Sequence, residues 1–564
     1  MQSRIFSLVS LLALIFIGLV AFVMPWFGQS VSFRFLLAIY PLLVILFGVA
    51  LLRQSGLTMA LVGLVTTILL AVFEFGTPIE VALGASAYGF VKSFGISISV
   101  AATMLMIFLM RETGALSTVS KVIKQQVLGD EIRALYIGIG FGSFLTCLGV
   151  VTPALFPPLL VTMGFSPTVA VSIAVLGYDP TTSFSLLSMP ITLPVDVGKT
   201  IGIMINPFEL AFKIALFLPL ISTGFAFAIL WLVGGRRSMR KGAVPAMICG
   251  LSLALACLGA TGLDYFTGVE YVPLRIVGVV AGLCSMVSLY AYQKLRHSST
   301  TKQKPADYPT RKEILRSFSP WIILTVSAAI VSIQQVSSWL SNVLDNVEQI
   351  SIFADQTVDL DLLSQIYTWI LFAVLLSLVT LRPTRKQVKD ATHVWLKRFA
   401  EPFLAYSLYF SIAFVMAYSA RTIVNGVLKP SLLYNELNMN VILGSTLAAV
   451  FGAGFIFVGA SLGLFGAIVG GSETSSNVLF LKIQKTAADS IGLGNAGFVT
   501  VYSGHAVAGG VASSVTPAKI NNAVVTIGET HDTESLIMRK HLVVAVILTI
   551  ATGILTGVLV SLGI

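Results

Sequence analysis

The chain has 564 residues, of which 56% are hydrophobic and 11% are charged, and its net charge is +10. Soluble domains carry about 25% charged residues, so a mean hydropathy of +0.92 excludes a soluble globular protein. The alternating strands of roughly 10 residues that build a transmembrane barrel are absent. In a membrane protein, the bias of basic residues toward cytoplasmic loops accounts for a positive net charge, so no nucleic acid partner is expected.

The predicted elements are apolar helices from the start of the chain onward. A spanning helix needs about 20 mostly apolar residues, and about 12–14 such segments fit this chain. Phe6–Met24, Phe35–Leu52 and Leu57–Phe73 are the first three, and Phe6–Met24 is interpreted as a retained helix rather than a cleaved signal. The sequence therefore predicts an all-α polytopic membrane protein.

Charged residues concentrate in a few connections between these segments. The basic connections are Arg111–Arg133, Gly235–Gly242, Lys294–Arg316 and Arg382–Arg398. The segment Ser341–Leu362 carries five acidic residues and no basic one. Because basic loops stay on the cytoplasmic side, we predict a multi-pass protein of the plasma membrane with a cytoplasmic N-terminus and an external acidic loop.

The polar connection near the middle divides the chain into two halves. We assign residues 1–294 to the first half, 295–317 to a cytoplasmic linker and 318–564 to the second half. Each half has one region rich in Gly, Pro, Ser and Thr, at about 134–205 and about 441–528. Such residues interrupt helices, so each region is predicted to hold a re-entrant hairpin followed by a discontinuous helix.

The two interrupted regions share spacing, which indicates an internal repeat. Gly177 precedes Pro190 by 13 positions, and Gly504 precedes Pro517 by 13. Broken backbone is tolerated at membrane depth only where protein or a water-filled cavity supplies hydrogen-bond partners. Paired interruptions in matching halves, here predicted to be inverted repeats, indicate the binding site of a secondary transporter.

The stretch "GGSETSSNVLF" (470–480) is the most polar part of the second region. If the glycines turn the chain, these polar residues lie around a re-entrant tip and the following segment Val478–Lys485 leaves as a helix. The N-terminus of that helix offers N–H groups and a positive dipole end to a carboxylate. The alternative is that these side chains only cap the helix. The substrate-binding candidates in this stretch are Ser472, Thr474, Ser475, Ser476 and Asn477.

Three ionisable residues are candidates for coupling to an ion. Glu473 could take up a proton or help to hold Na⁺ through its oxygens, or it could simply point to water or stabilise the helix dipole. Asp179, in "GYDPTTS", could coordinate a cation or relay a proton, or cap the segment begun by Pro180. His505 could carry a proton or bind substrate, or be a packing residue.

Further candidates come from both interrupted regions. Thr152 and Pro153 resemble a helix start, although a proline-kinked helix is the alternative. Lys519 and Lys199 could attract an anion, although such lysines often extend to the membrane interface. The remaining substrate-binding candidates are Thr181, Thr182, Thr516 and Asn521.

The stretch "GSETSSNVLF", followed by "QKTAADSIGL" and "SSVTPAKINNAVVTIG", resembles the lactate permease family. The likeness is close over 470–484 and looser from about Gly84 to the C-terminal helix. The first half departs from the family pattern, since "TCLGVVTP" has Thr146 where the family has a glutamate. This departure puts lactate itself, and a proton at that position, in doubt.

The resemblance implies proton-driven uptake of a small 2-hydroxy monocarboxylate such as lactate or glycolate. It also implies a fold with paired hairpins and a possible homodimer. The alternatives are Na⁺-coupled transport of another organic anion, or a channel or sensor without transport. HExxH and Walker motifs are absent, and the GxSxG match Gly459–Gly463 lies inside an apolar stretch, so no enzyme is expected. Beyond H⁺ or Na⁺, no cofactor or metal is expected.

Overall fold

The computed structural model describes residues 31–50, 54–127, 129–149, 153, 156–296, 308–344, 349–516, 519–520, 523–524, 526–527 and 531–564. The predicted helix Phe6–Met24 lies outside these residues. The described helices are α1 (Val31–Ala50), α2 (Gly56–Phe73), α3 (Ile79–Lys92), α4 (Phe94–Glu112), α5 (Ala115–Gln126), α6 (Asp130–Leu135), α7 (Ser143–Cys147), α8 (Phe156–Thr162), α9 (Pro167–Leu176), α10 (Ser185–Thr200), α11 (Pro207–Ala215), α12 (Leu218–Lys241), α13 (Ala243–Thr267), α14 (Leu274–Arg296), α15 (Arg311–Val331), α16 (Gln334–Val343), α17 (Ile366–Leu381), α18 (Arg385–Arg398), α19 (Ala400–Tyr418), α20 (Tyr434–Leu437), α21 (Met439–Phe451), α22 (Phe455–Gly470), α23 (Glu473–Ser490), α24 (Asn495–Ala512) and α25 (His531–Ser561).

Apolar helices long enough to cross a membrane make up most of the described chain. Nine stretches in this part of the protein satisfy that condition by length and composition, and three shorter apolar helices accompany them. The predicted all-helical, multi-pass class is therefore confirmed. The sequence-based count of 12–14 is larger because it includes Phe6–Met24 and segments that the structure divides into shorter helices, such as α9 and α10.

Two short β-hairpins are additions that the all-α prediction lacked. Strands β1 (Gln349–Phe353) and β2 (Gln356–Asp359) are antiparallel, with Gln349 opposite Asp359. Strands β3 (Arg421–Val424) and β4 (Val427–Pro430) pair in the same way, with Arg421 opposite Pro430. The hairpins contact each other, since the Leu428 N–H donates to Asp355 Oδ1 at 3.0 Å.

The interruption in the first half lies where the sequence predicts it. Between α6 and α7 the chain forms a π-helical segment, Tyr136–Gly142. After α9, a turn leads into the 3-10 helix Thr182–Phe184. The first turn of α10 is not regular, because Leu186, Leu187 and Ser188 have φ values of 50°, 55° and 59°. Left-handed backbone is unfavourable for residues with a Cβ, so surrounding contacts must hold it.

The interruption in the second half also contains a turn and a 3-10 helix. Gly471, with φ 69°, ends α22, and Ser472 is the N-cap of α23. Glycine adopts this left-handed turn without steric cost. Helix α24 is then followed by the 3-10 helix Ser513–Val515. The inverted relation of the two halves and the re-entrant character of the hairpins stay predictions.

Candidate transport site

The polar stretch of the second half forms the buried start of helix α23. The Ser472 hydroxyl accepts a hydrogen bond from the Ser475 N–H at 3.1 Å and lies 3.0 Å from the Ser475 hydroxyl. These two residues therefore form the cap that the sequence offers as the alternative interpretation. All six residues from Ser472 to Asn477 are buried, so more polar groups are enclosed here than one cap requires.

A narrow cavity lies where the two interrupted regions meet. Its free space is close to that of a single water molecule, so a lactate-sized anion enters only when a wall moves. The first half contributes the turn after α9 and the start of α10. The second half contributes the start of α23 and the segment after α24. The lining residues are Tyr178, Asp179, Ser185, Leu186, Pro190, Tyr406, Ser472, Glu473, Thr474, Ser513 and Lys519.

A loosely held ammonium group belongs to this cavity. Lys519 Nζ lies 3.8 Å from Asp179 Oδ1 and 3.9 Å from the centre of the Tyr178 ring. Asp179 Oδ2 has no hydrogen-bond partner within the described residues. The Pro180 carbonyl, next in the chain, accepts from Ser222 of α12 at 2.7 Å, which anchors the turn. The ammonium is close enough to attract an anion but is not saturated by its partner.

Two hydrogen bonds join the start of α23 to the first half. The Ser183 hydroxyl donates to Glu473 Oε1. The Asn477 amide donates through Nδ2 to the Pro190 carbonyl at 3.0 Å. Proline at position 190 lies inside a distorted helix start, so this contact ties the irregular backbone of one half to the helix of the other.

Helix α24 approaches this junction through Gly509 and Gly510. A Cβ atom on Gly510 would lie 2.7 Å from Glu473 Oε2 and 2.7 Å from Thr182 Cβ. A Cβ atom on Gly509 would lie 3.6 Å from Asn477 Oδ1. The glycines therefore allow three segments to meet without side-chain overlap.

His505 is buried beside the site but does not line the cavity. Gln484 Nε2 lies 3.0 Å from Nδ1, and Ser476 Oγ lies 3.2 Å from Nε2. Because an amide N–H can only donate, Nδ1 accepts and Nε2 carries the hydrogen. The ring also stacks on Tyr502 at 5.7 Å. This geometry corresponds to the packing interpretation of the histidine.

Some of the other predicted site residues lie close to the cavity in sequence and some lie away from it. Thr181 and Thr182 are buried in the turn after Asp179, and Thr516 is buried and donates to the Ser513 carbonyl at 2.5 Å. Pro153 is buried outside the cavity lining. Lys199 is exposed and pairs with Asp196 at 3.3 Å, away from the cavity lining. Thr152 and Asn521 lie outside the described residues.

The sequence analysis missed seven lining or contacting residues, which are Tyr178, Ser183, Ser185, Leu186, Pro190, Tyr406 and Ser513. Ser183 and Ser185 follow the quoted "GYDPTT" directly, so the polar run itself was a usable signal. Ser513 likewise belongs to the quoted "SSVTPAK". Tyr406 gave no signal, because it lies in α19, whose apolar sequence is typical of an ordinary span.

The cavity carries one cation against two carboxyl groups. Lys519 contributes one positive charge, and Asp179 and Glu473 contribute up to two negative charges. An anion that binds here adds another negative charge, which a low-dielectric site disfavours unless a cation accompanies it. Within the described residues, no cluster of three His, Cys, Asp or Glu side chains could hold a metal ion. The arrangement suits co-binding of a small anion and a small cation.

Comparison with known proteins matches almost the whole chain to one family. The L-lactate permease family model matches residues 34–563. The L-lactate permease of Salmonella typhimurium is 25% identical over 561 residues, covering 92% of this chain and 96% of the relative. The glycolate permease GlcA of Escherichia coli is 24% identical, covering 95% and 99%.

Among solved structures, the YdaH transporter of Alcanivorax borkumensis matches with a TM-score of 0.39 and 13% identity, covering 85% of this chain and 88% of that one. The family assignment depends instead on the sequence match across almost the whole chain. This multi-pass membrane protein belongs to the L-lactate permease family.

Proposed function

We propose that the protein is a secondary active transporter that imports a small 2-hydroxy monocarboxylate together with a proton. The observation that carries this proposal is the charge balance of the cavity, where Lys519 faces Asp179 and Glu473. Protonation of one carboxyl group makes the lining neutral, and the substrate anion then binds without a second uncompensated charge. Proton and anion therefore enter together.

The relatives support lactate or glycolate as the substrate. They are named L-lactate permease and glycolate permease, and both acids are small enough for a cavity that widens modestly. Lys519 would bind the carboxylate through a charge-assisted hydrogen bond. The hydroxyl groups of Tyr406 and Ser513, which line the same cavity, would bind the 2-hydroxyl group.

The same proposal includes the membrane in which the protein lies. Proton-coupled uptake of an external nutrient places the protein in the plasma membrane, with its basic connections in the cytoplasm. The cytoplasmic N-terminus and a possible homodimer stay predictions. Transport without chemical change is proposed rather than an enzymatic reaction, because the cavity residues suit co-binding of ions.

The first alternative is Na⁺-coupled transport of another organic anion, and the second is a channel or sensor. Purified protein in liposomes, loaded with separate pH and Na⁺ gradients, distinguishes all three with radiolabelled lactate and glycolate. Accumulation against a gradient, driven by pH alone, is the expected result. Sodium-driven accumulation would support the first alternative, and equilibration without accumulation would support a channel.

A substitution at the junction of the two halves tests the location of the site. Asn477→Ala removes the contact to Pro190 at 3.0 Å and is expected to abolish uptake while the protein still inserts and folds. Asn435→Ala, at an exposed asparagine of α20, is the matched control and should transport normally. Wild-type uptake by Asn477→Ala would refute the assignment.

A further inference from the structure

Glu473 has one carboxylate oxygen engaged and one turned toward α24. The Ser183 hydroxyl donates to Oε1. The other oxygen, Oε2, faces Gly510, where an added Cβ would approach it to 2.7 Å. Glu473 itself is 6% exposed, so bulk water does not solvate this oxygen freely.

Asn477, one helical turn further along α23, presents an acceptor to the same space. Its Nδ2 donates to the Pro190 carbonyl, and this fixes the orientation of the amide, because the opposite orientation would place two oxygens against each other. Oδ1 has no hydrogen-bond partner within the described residues, although the side chain is fully buried. Native proteins rarely leave such a group unpaired.

The two side chains are close neighbours. Residues four apart on a helix lie side by side, and Glu473 and Asn477 have this spacing on α23. Both also face the Gly509–Gly510 surface of α24, at 3.6 Å for Asn477 Oδ1 and 2.7 Å for Glu473 Oε2 from the added Cβ positions. Thr182 packs against the same glycine surface through Cβ and Cγ2, at 2.7 and 2.9 Å from the Cβ position added at Gly510.

An ionised carboxylate and an amide oxygen are both acceptors and cannot bond to each other. We propose that Glu473 carries the transported proton on Oε2, where the resulting O–H donates to Asn477 Oδ1. This inference rests on the proposed function and names the proton's position within it. The proton arrives from one side of the membrane, satisfies the unpaired amide oxygen while bound, and leaves to the other side when the substrate does.

Several other groups surround Glu473 and share its electrostatic environment. Asp179 raises the cost of a second negative charge, and Lys519 lowers it. The hydroxyls of Tyr178, Tyr406 and Tyr502 reach the same region from the turn after α9, from α19 and from α24. Na⁺ at the same oxygens is the competing occupant. Hard cations such as Ca²⁺ and Mg²⁺ commonly take six or more oxygens, whereas two side-chain oxygens face the Gly509–Gly510 surface here, which favours a proton.

The decisive experiment compares net transport with exchange. In Glu473→Gln, the amide N–H replaces the carboxyl O–H as donor to Asn477 but cannot release a proton. Lactate counterflow in liposomes, which needs no net proton movement, is expected within about twofold of wild type. Accumulation driven by a pH gradient should fall to the equilibrium level. Glu436→Gln, at an exposed glutamate of α20, is the matched control and should retain both activities.

Ser183→Ala tests the same proton without removing the carboxyl group. The hydroxyl donates to Glu473 Oε1 and favours the ionised form. Its loss should therefore move the pH of half-maximal uptake upward by about 0.5 to 1 unit, a shift that reduced folding alone does not produce. Monodisperse elution in detergent checks the fold of each variant.

The outcomes separate this proposal from the proposed function. If wild-type protein shows no counterflow of lactate or glycolate, the proposed function fails. If wild type accumulates substrate with protons and Glu473→Gln does the same, the proton position alone is wrong. If wild-type uptake requires Na⁺ and leaves the internal pH unchanged, the proton position on Glu473 is also wrong. The same oxygens would then be assigned to sodium.

Discussion

The close approach of α24 to the start of α23 gives a quantitative prediction for Gly510→Ala. The added methyl group would lie 2.7 Å from Glu473 Oε2, 2.7 Å from Thr182 Cβ and 2.9 Å from Thr182 Cγ2. Atoms at these distances overlap, so at least two segments must shift. Thr182 has φ 42°, an unfavourable backbone conformation for threonine, and has little freedom to relax.

Two opposing effects determine how far Gly510→Ala changes the free energy of unfolding. Alanine in place of a helical glycine normally stabilises the helix by about 1 kcal/mol. Overpacking a well-filled interior costs about 1–3 kcal/mol, and contact with two separate segments favours the upper part of this range. The net expectation is a loss of about 1–2 kcal/mol in the free energy of unfolding, together with loss of uptake because Glu473 is displaced.

Thermal unfolding in detergent and lactate uptake in liposomes measure the two consequences. Gly259→Ala is the matched control, because Gly259 lies within α13 and no atom lies within 4 Å of its added Cβ. That variant should melt at or above the wild-type temperature and transport normally. If Gly510→Ala behaves like Gly259→Ala in both assays, the close packing of α24 against Glu473 is wrong.

Two further predictions concern Lys519 and His505. Lys519→Met should raise the KM for lactate about tenfold or more, because a hydrogen bond to a charged group contributes about 1.5–3 kcal/mol. Lys199→Met, at an exposed pair with Asp196, is the control and should leave the KM unchanged. Equal KM values for the two variants would contradict the role of Lys519. His505→Ala should lower the melting temperature, at a cost of about 3 kcal/mol or more, because it opens a cavity and removes one hydrogen bond from each of Gln484 and Ser476. A changed pH profile of the remaining uptake would show that the histidine takes part in coupling.

The start of α23 could be predicted from the sequence because its signals are local. Two glycines and a run of hydroxyl groups indicate a turn followed by a helix. The structure has the turn at Gly471 and the cap at Ser472, although the helix begins at Glu473 rather than at the predicted Val478. The interruption after α9 is likewise local, since Gly177 and Pro180 mark it. Such local features can be predicted without knowing which other segments the stretch contacts.

Partners of these segments could not be predicted, because they are distant in sequence. Ser183 donates to Glu473 across 290 positions, and Asn477 donates to Pro190 across 287. Composition and spacing do not encode which face of one helix meets which turn of another. For the same reason His505, whose two ring partners both lie on the neighbouring helix α23, could not be separated from a proton carrier by sequence alone.

The difference between local sequence signals and contacts between distant segments explains which predicted residues line the cavity. Lys519 and Lys199 look alike in sequence, since each is a lone lysine near the end of an interrupted region. Lys519 lies beside Asp179 and the Tyr178 ring, whereas Lys199 is exposed and has its own carboxylate one turn away. An acidic residue at i−3 satisfies a lysine locally. A partly buried lysine without such a neighbour must find its counter-charge elsewhere in the fold, and Lys519 finds it at Asp179 in the opposite half.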